Sequence, residues 1–176
     1  WWPFPIGTCL ALIAASVALN IYLSVSFPAS RRLSSTAAAG VLTFDILQPT
    51  GLLFLTGGIE NPFTVFLVVP SIIASATQPP LTTVGVGLLA VVCTTALAFF
   101  HMPVPWPHGM SLELPISYVG GLWFANVTTL VFSSIYIYRV AAESRALADA
   151  LSATELVLQR EQHLSALDGL AAAAAH

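Results

Sequence analysis

The chain has 176 residues, of which 57% are hydrophobic and only 7% are charged, with a mean hydropathy of +0.87. Soluble domains carry about 25% charged residues, so this composition excludes an ordinary cytosolic globule. The net charge of −3 and the lack of lysine argue against nucleic-acid binding, which needs a basic surface. Most of the charged residues follow Tyr138, which divides the chain into an apolar body and a polar tail.

Five apolar segments follow one another along the body, and each is a candidate membrane-spanning helix. A span needs about 20 mostly apolar residues, and the third segment is short and contains Pro70. A soluble helical core and a re-entrant third segment are the alternatives. We predict an all-α integral membrane protein with a membrane domain at 1–138 and a signalling helix or coiled coil at 139–176. The predicted spans are about 4–27, 37–56, 62–77, 81–100 and 115–138.

The positive charges orient these spans. All five arginines lie either at Arg31 and Arg32 or from Arg139 onward, and basic residues beside spans stay in the cytoplasm. Four spans separate the two groups, so both groups can face the cytoplasm. This arrangement places the start of the chain, the turn at 57–62 and the loop at 100–115 on the outer side. A start outside the membrane also leads us to expect a further helix upstream.

Few polar side chains interrupt the spans. Asp45 is the one ionisable residue inside a span, and we interpret it as a polar tie between helices or as a proton-linked element. Asn20 and Asn126 are interpreted as groups that hydrogen-bond between helices. Cys9 and Cys93 lie in apolar runs without metal-like spacing, which is typical of small buried hydrophobic residues. No metal site is predicted.

The tail has the composition of a long helix. Residues 140–175 contain one glycine and no proline and are rich in Ala, Leu, Glu, Gln and Arg. A parallel coiled-coil dimer and a single amphipathic helix both fit this pattern. His176 follows an alanine run, where it is either a phosphoryl acceptor or a histidine that merely faces solvent. A weak apolar seam consists of Leu147, Leu151, Thr154 and Leu158.

The turn between the second and third spans reads Gly57-Gly58-Ile59-Glu60-Asn61-Pro62-Phe63. One of the two glycines can end the second helix in the left-handed conformation. Asn61 is a good N-cap, and Pro62 fits the first position of the next helix because its missing N–H is not needed there. The need for a tight helical hairpin would by itself explain these residues.

Two separated motifs resemble the RegB/PrrB/ActS family of redox-sensing histidine kinases. The turn fits the pattern GGxxNPF, and the stretch from Arg160 through the alanine run to His176 is similar to the family's approach to its phosphoacceptor histidine. The resemblance implies a homodimeric sensor of the bacterial inner membrane with six spans and redox input from the ubiquinone pool. It implies His176 as the phosphoacceptor, a partner response regulator, and ATP with Mg²⁺ in the parent kinase.

In this family, residues 139–176 would form a cytoplasmic linker helix and the start of the dimerisation and phosphotransfer helix. The family's ATP-binding domain is not in this chain, which we therefore expect to be inactive alone. A small membrane binding or transport component without kinase activity is the alternative function.

The resemblance also assigns ubiquinone binding to Gly57, Gly58, Asn61, Pro62 and Phe63. The glycines let a ring approach the backbone, the Asn61 amide can donate to a quinone oxygen, and the Phe63 ring can stack on the headgroup. Free N–H groups at the start of the third helix would favour the same oxygen. Quinone occupancy would then alter the packing of the second and third helices and, through the fifth span, the position of His176.

Overall fold

A computed structural model describes residues 5–27, 33–104 and 114–174, with side chains as far as His163. These ranges are helical and contain no strand, so the prediction of an all-α membrane fold is confirmed. Two 3₁₀ helices, Gly58–Glu60 and Pro62–Leu67, lie between the second and third α-helices. The α-helices are α1 (Ile6–Ser26), α2 (Ser35–Leu55), α3 (Val68–Thr77), α4 (Pro80–Phe99) and α5 (Ile116–Ala174).

Four helices in the described ranges are long and apolar enough to cross a membrane: α1, α2, α4 and the Ile116–His163 part of α5. The third predicted span is shorter, because it consists of a six-residue 3₁₀ helix followed by the ten residues of α3. A 3₁₀ helix rises about 2.0 Å per residue and an α-helix about 1.5 Å, so this segment extends about 27 Å. That length is close to the roughly 30 Å hydrocarbon core of a bilayer.

The third segment, residues 62–77, runs alongside α2 in the opposite direction. At one end, the Asn61 side chain hydrogen-bonds to Thr56, the residue after α2. At the other end, the hydroxyl of Ser35, the first residue of α2, donates to the side-chain oxygen of Gln78 at 2.9 Å. A re-entrant segment would return to the side from which it started, whereas this one connects the two ends of a helix about 31 Å long. The segment therefore has the extent of a full crossing.

Helices α2, α3 and α4 form the packed centre of the membrane unit. Ala74, Ser75 and Ala90 are fully buried there, and small residues of this kind allow helices to approach closely in lipid. Helices α1 and α5 expose most of their large apolar side chains, which suits surfaces that face hydrocarbon. The larger side chains buried in the centre include Leu42, Ile46, Leu53, Leu67 and Leu97.

Two side-chain hydrogen bonds join the outer helices to this centre. Gln48 on α2 donates from its amide nitrogen to the backbone oxygen of Leu12 on α1 at 3.3 Å. The indole N–H of Trp123 on α5 donates to the Thr95 hydroxyl on α4 at 3.0 Å. These contacts fix the neighbours of α1 and α5 although both helices bury little surface.

The interhelical role predicted for Asn20 and Asn126 is wrong in the described chain. Asn20 donates to the backbone oxygen of Ser16 at 2.9 Å, and Asn126 donates to that of Leu122 at 3.0 Å. Both acceptors lie four residues earlier on the same helix, which a short polar side chain reaches without any neighbouring helix.

Three other polar or sulfur-containing side chains were singled out in the spans. Cys9 and Cys93 are buried free thiols, as predicted. Asp45 is partly buried on α2 and has no hydrogen-bond partner among the described residues. Its two interpretations, a polar tie or a proton-linked element, stay predictions.

The chain divides into two compact units, Trp1–Ile137 and Tyr138–His176. The first contains the bundle of helices and the Gly57–Phe63 turn. The second is helical as far as Ala174, and its seam residues Leu147, Leu151, Thr154 and Leu158 are exposed. The predicted coiled-coil dimer stays a prediction, and His176 lies outside the described residues.

Candidate functional site

Both glycines of the Gly57–Phe63 turn have left-handed backbone conformations, with φ of +111° at Gly57 and +57° at Gly58. A Cβ atom at Gly57 would collide with the Val104 side chain, and one at Gly58 would lie 2.5 Å from the His101 side chain. Residues 101–104, which follow α4, therefore pack directly on the turn. The N–H of Met102 also donates to the backbone oxygen of Phe54 at 2.8 Å. The glycines thus allow two ends of the bundle to meet.

Asn61 holds the turn together. Its side-chain oxygen accepts from the N–H of Phe63 at 3.0 Å, which makes it the N-cap of the 3₁₀ helix that Pro62 begins. Its amide nitrogen donates to the carbonyl oxygen of Thr56 at 3.1 Å and to the Thr56 hydroxyl oxygen at 2.8 Å. The hairpin interpretation of Asn61 and Pro62 is confirmed.

The same hydrogen bonds occupy the donors that a quinone oxygen was expected to use. Pro62 has no N–H, the N–H of Phe63 is capped, and the N–H of Thr64 donates to the Asn61 carbonyl oxygen at 3.1 Å. The Thr64 hydroxyl donates to that carbonyl as well, and the Thr56 hydroxyl donates to the Leu52 carbonyl. The start of this 3₁₀ helix therefore has no free N–H for a ligand at these positions.

A cavity of about 770 Å³ lies on one side of the turn, and we call it the α1-side cavity. Asn61, Pro62 and Phe63 line it, so three of the five predicted quinone-binding residues meet there. The Phe63 ring is 60% exposed and stacks on Phe66, with ring centres 5.8 Å apart and planes 11° apart. The remaining walls are largely apolar and include Ile6, Leu10 and Ile13 of α1 and Leu52 of α2.

A second cavity, of about 420 Å³, separates the other side of the turn from α5, and we call it the α5-side cavity. Tyr118, Leu122 and Asn126 line it from α5 at intervals of four residues, which places them on one helix face. Thr129 continues that face. Glu60, Asn61 and Pro62 line both cavities and form the edge between them.

Sequence reasoning did not include Tyr118 or Thr129 among the candidate site residues, and it interpreted Asn126 only as a group that hydrogen-bonds between helices. The available signal was the recurrence of hydrogen-bonding residues at 118, 126 and 129 within an apolar span. This pattern could not be assigned to a site from the sequence, because the sequence does not show which element faces these residues. Gly57 and Gly58 line neither cavity, because they pack against residues 101–104.

Two curated relatives match nearly the whole chain, and both carry the description Sensor histidine kinase RegB. Both are from Cereibacter sphaeroides, one of them from a defined strain. Each is 41% identical over 172 residues, which cover 98% of this chain and 37% of the relative. The chain thus spans little more than a third of the length of these relatives. No family profile matches, and no solved structure matches. The resemblance to RegB-type sensors is confirmed.

Proposed function

We propose that this chain, which is similar over 98% of its length to RegB sensor histidine kinase, is the membrane sensor portion of a redox-responsive two-component kinase. In this proposal ubiquinone binds at the Gly57–Phe63 turn and controls phosphorylation of His176 in the parent protein. The parent supplies ATP and Mg²⁺, dimerises, and transfers the phosphoryl group to a response regulator. The sensor lies in the bacterial inner membrane, with the tail in the cytoplasm.

The observation that carries the quinone assignment is the pair of cavities that share the edge Glu60–Pro62. Volumes of about 770 and 420 Å³ lie in the range of small-molecule sites. The turn joins two spanning segments, so it lies near the end of the apolar bundle. An amphiphile with a polar ring and a hydrocarbon tail matches this place, because its ring can lie near the interface while its tail stays in lipid.

The aromatic pair Phe63 and Phe66 supports the same proposal. Two stacked rings at the wall of an apolar cavity provide a large, rigid contact surface for a planar or isoprenoid ligand. Asn61 and Pro62 contribute by forming the turn that holds this wall in place. Gly57 and Gly58 contribute by allowing residues 101–104 to close over the turn.

The binding experiment uses the whole chain in lipid nanodiscs, titrated with a short-chain ubiquinone and followed by tryptophan fluorescence quenching. We expect saturable binding that Phe63→Ala weakens about 10- to 100-fold, since burial of an aromatic side chain contributes roughly 1.5–3 kcal/mol. The matched control is Phe99→Ala, because Phe99 is 72% exposed at the end of α4 and lines neither cavity. Equal loss in both variants, or no saturable binding, would contradict the proposal.

The signalling part is tested in the complete kinase by the autophosphorylation rate with oxidised and reduced ubiquinone. We expect His176→Gln to abolish phosphorylation, and Phe63→Ala to abolish the difference between the two quinone states. A redox difference that survives Phe63→Ala would show that the turn does not sense the quinone pool.

A further inference from the structure

The donors that the sequence assigned to a quinone oxygen, namely the Asn61 amide and the N–H groups that begin the 3₁₀ helix, are already used within the turn. The amide nitrogen of Asn61 is bonded to Thr56, and the nearby N–H groups of Phe63 and Thr64 are bonded to Asn61. A quinone has two carbonyl oxygens, which only accept hydrogen bonds. A buried acceptor without a donor is costly, so a ring at this turn needs donors other than those of Asn61, Phe63 and Thr64.

Helix α5 presents such donors to the other side of the turn. Tyr118 lines the α5-side cavity, and its hydroxyl makes no hydrogen bond to any described residue. Asn126 lines the same cavity and uses its amide nitrogen once, towards Leu122, so that one amide hydrogen remains. By contrast, α1 lines the α1-side cavity with the apolar side chains of Ile6, Leu10 and Ile13 and the thiol of Cys9, which is only a weak donor.

The spacing of the two donors suits a para-quinone ring. Eight residues separate Tyr118 from Asn126, which corresponds to about 12 Å of helix rise on one face. This distance is comparable to the length of a para-quinone ring with one hydrogen bond of about 2.9 Å at each end. Because both side chains also line the same cavity from one helix face, they are placed to address opposite carbonyls of one ring.

We infer that Tyr118 and Asn126 donate hydrogen bonds to the carbonyl oxygens of a quinone headgroup held in the α5-side cavity. This inference rests on the proposed function and names the residues that bind the polar end of its ligand. The hydrocarbon tail crosses the shared edge at Glu60–Pro62 and lies in the apolar α1-side cavity against Phe63 and Phe66. The ring then contacts both the turn and α5.

This placement gives α5 a direct role in reading the redox state. The reduced ligand, a quinol, would carry a hydroxyl in place of each carbonyl, and a hydroxyl has a proton to donate as well as lone pairs to accept. The remaining amide hydrogen of Asn126 and the hydroxyl of Tyr118 then face a hydroxyl instead of a carbonyl oxygen. The Glu60 carboxylate on the shared edge can accept the hydrogen bond that such a hydroxyl donates. Binding of either form therefore changes the hydrogen bonds of α5, the helix that continues to Ala174.

The test measures ubiquinone binding by the whole chain in nanodiscs for Tyr118→Phe and Asn126→Leu. Each variant should bind about five- to tenfold more weakly, because each removes one hydrogen bond that otherwise leaves a buried carbonyl unpaired. Tyr136→Phe is the matched control for the first, since Tyr136 is an exposed tyrosine of α5 outside the cavity. Asn20→Leu is the matched control for the second, since Asn20 makes the same bond to its own helix but lies on α1.

Infrared difference spectra of ubiquinone labelled with ¹³C at its carbonyls supply a second readout. Hydrogen bonding lowers the carbonyl stretching frequency, so one carbonyl band should return towards the free value in each variant, and thermal melting should show that both variants are folded. Unchanged carbonyl bands, or affinity lost only in Phe63→Ala, would overturn the inference and leave the proposed function standing. If the unaltered chain shows no saturable ubiquinone binding, both this inference and the proposed quinone-binding function are overturned.

Discussion

The amide nitrogen of Asn61 lies 2.8 Å from the hydroxyl oxygen of Thr56 and 3.1 Å from its carbonyl oxygen. This pair closes the hairpin between α2 and the third segment, while the side-chain oxygen of Asn61 caps the 3₁₀ helix at Phe63. One side chain therefore satisfies groups on both sides of the turn. The Asn61 side chain thus stabilises the turn and fixes its geometry. A substitution of Asn61 is therefore expected to alter the stability of the fold, and any effect on ligand binding would follow from that.

Asn61→Ala is expected to destabilise the chain by about 1–2 kcal/mol, because it removes an N-cap and the hydrogen bonds to Thr56. Asn61→Asp keeps the oxygen that caps Phe63 but brings a second carboxylate oxygen to the Thr56 oxygens in place of the donor, so its loss should be at least as large as that of Asn61→Ala. Thermal unfolding in detergent measures both. Melting temperatures equal to that of the unaltered chain would show that the hairpin does not depend on this side chain.

Gly58→Ala is expected to destabilise the chain by about 1–2 kcal/mol from the left-handed conformation alone, and by more because the new Cβ lies 2.5 Å from His101. Gly85→Ala is the matched control, since a Cβ there meets nothing within 4 Å inside α4. That change should stabilise by about 0.5–1 kcal/mol through helix propensity. Opposite shifts in melting temperature are therefore predicted, and shifts of the same sign would contradict the described turn.

Thr95→Val is expected to loosen α5 from α4, because it removes the acceptor for the Trp123 indole N–H. Interhelical hydrogen bonds in membranes contribute about 0.5–1.5 kcal/mol, so the loss in unfolding free energy should fall in that range. Thr50→Val is the control, since the one hydrogen bond of the Thr50 hydroxyl to a described residue goes to the carbonyl of Ile46 on its own helix, α2. The near-ultraviolet circular dichroism of Trp123 should change in the first variant and stay unchanged in the second.

Accessibility labelling tests the predicted orientation. In a chain with Cys9 and Cys93 replaced by alanine, a cysteine at position 60 should react with an impermeant maleimide added outside the cell. A cysteine at position 34, at the opposite end of α2, should react only in inverted vesicles. The reverse pattern would place the turn in the cytoplasm and exclude the outer-surface quinone site.

An insertion near Val140 tests whether α5 carries the signal in the complete kinase. One added residue rotates the following helix by about 100°, so it should change the autophosphorylation response to ubiquinone. Seven added residues bring the helix back to within about 20° of its original phase and should largely restore the response. An unchanged redox response after the single-residue insertion would show that rotation along α5 is not the signal.

The alternation of apolar runs with Pro, Gly and Arg was sufficient to predict the helices and the hairpin. Asn61 and Pro62 were interpretable because capping depends on residues two or three positions away. The length of the third span in Å could not be predicted, because its first six residues form a 3₁₀ helix, which rises more per residue than an α-helix. The bonds of Asn20 and Asn126 were misjudged because a side chain in lipid can be satisfied by its own helix.

The amino-acid sequence alone determined that the chain is an apolar, helical membrane protein and which residues form the turn, since both follow from local composition and spacing. The tertiary structure decided which hydrogen-bonding groups remain available to a ligand. Thr56 occupies the amide of Asn61, residues 101–104 cover the glycines, and α5 turns Tyr118 and Asn126 towards the turn. Those relationships join residues far apart in the chain, and no local pattern encodes them.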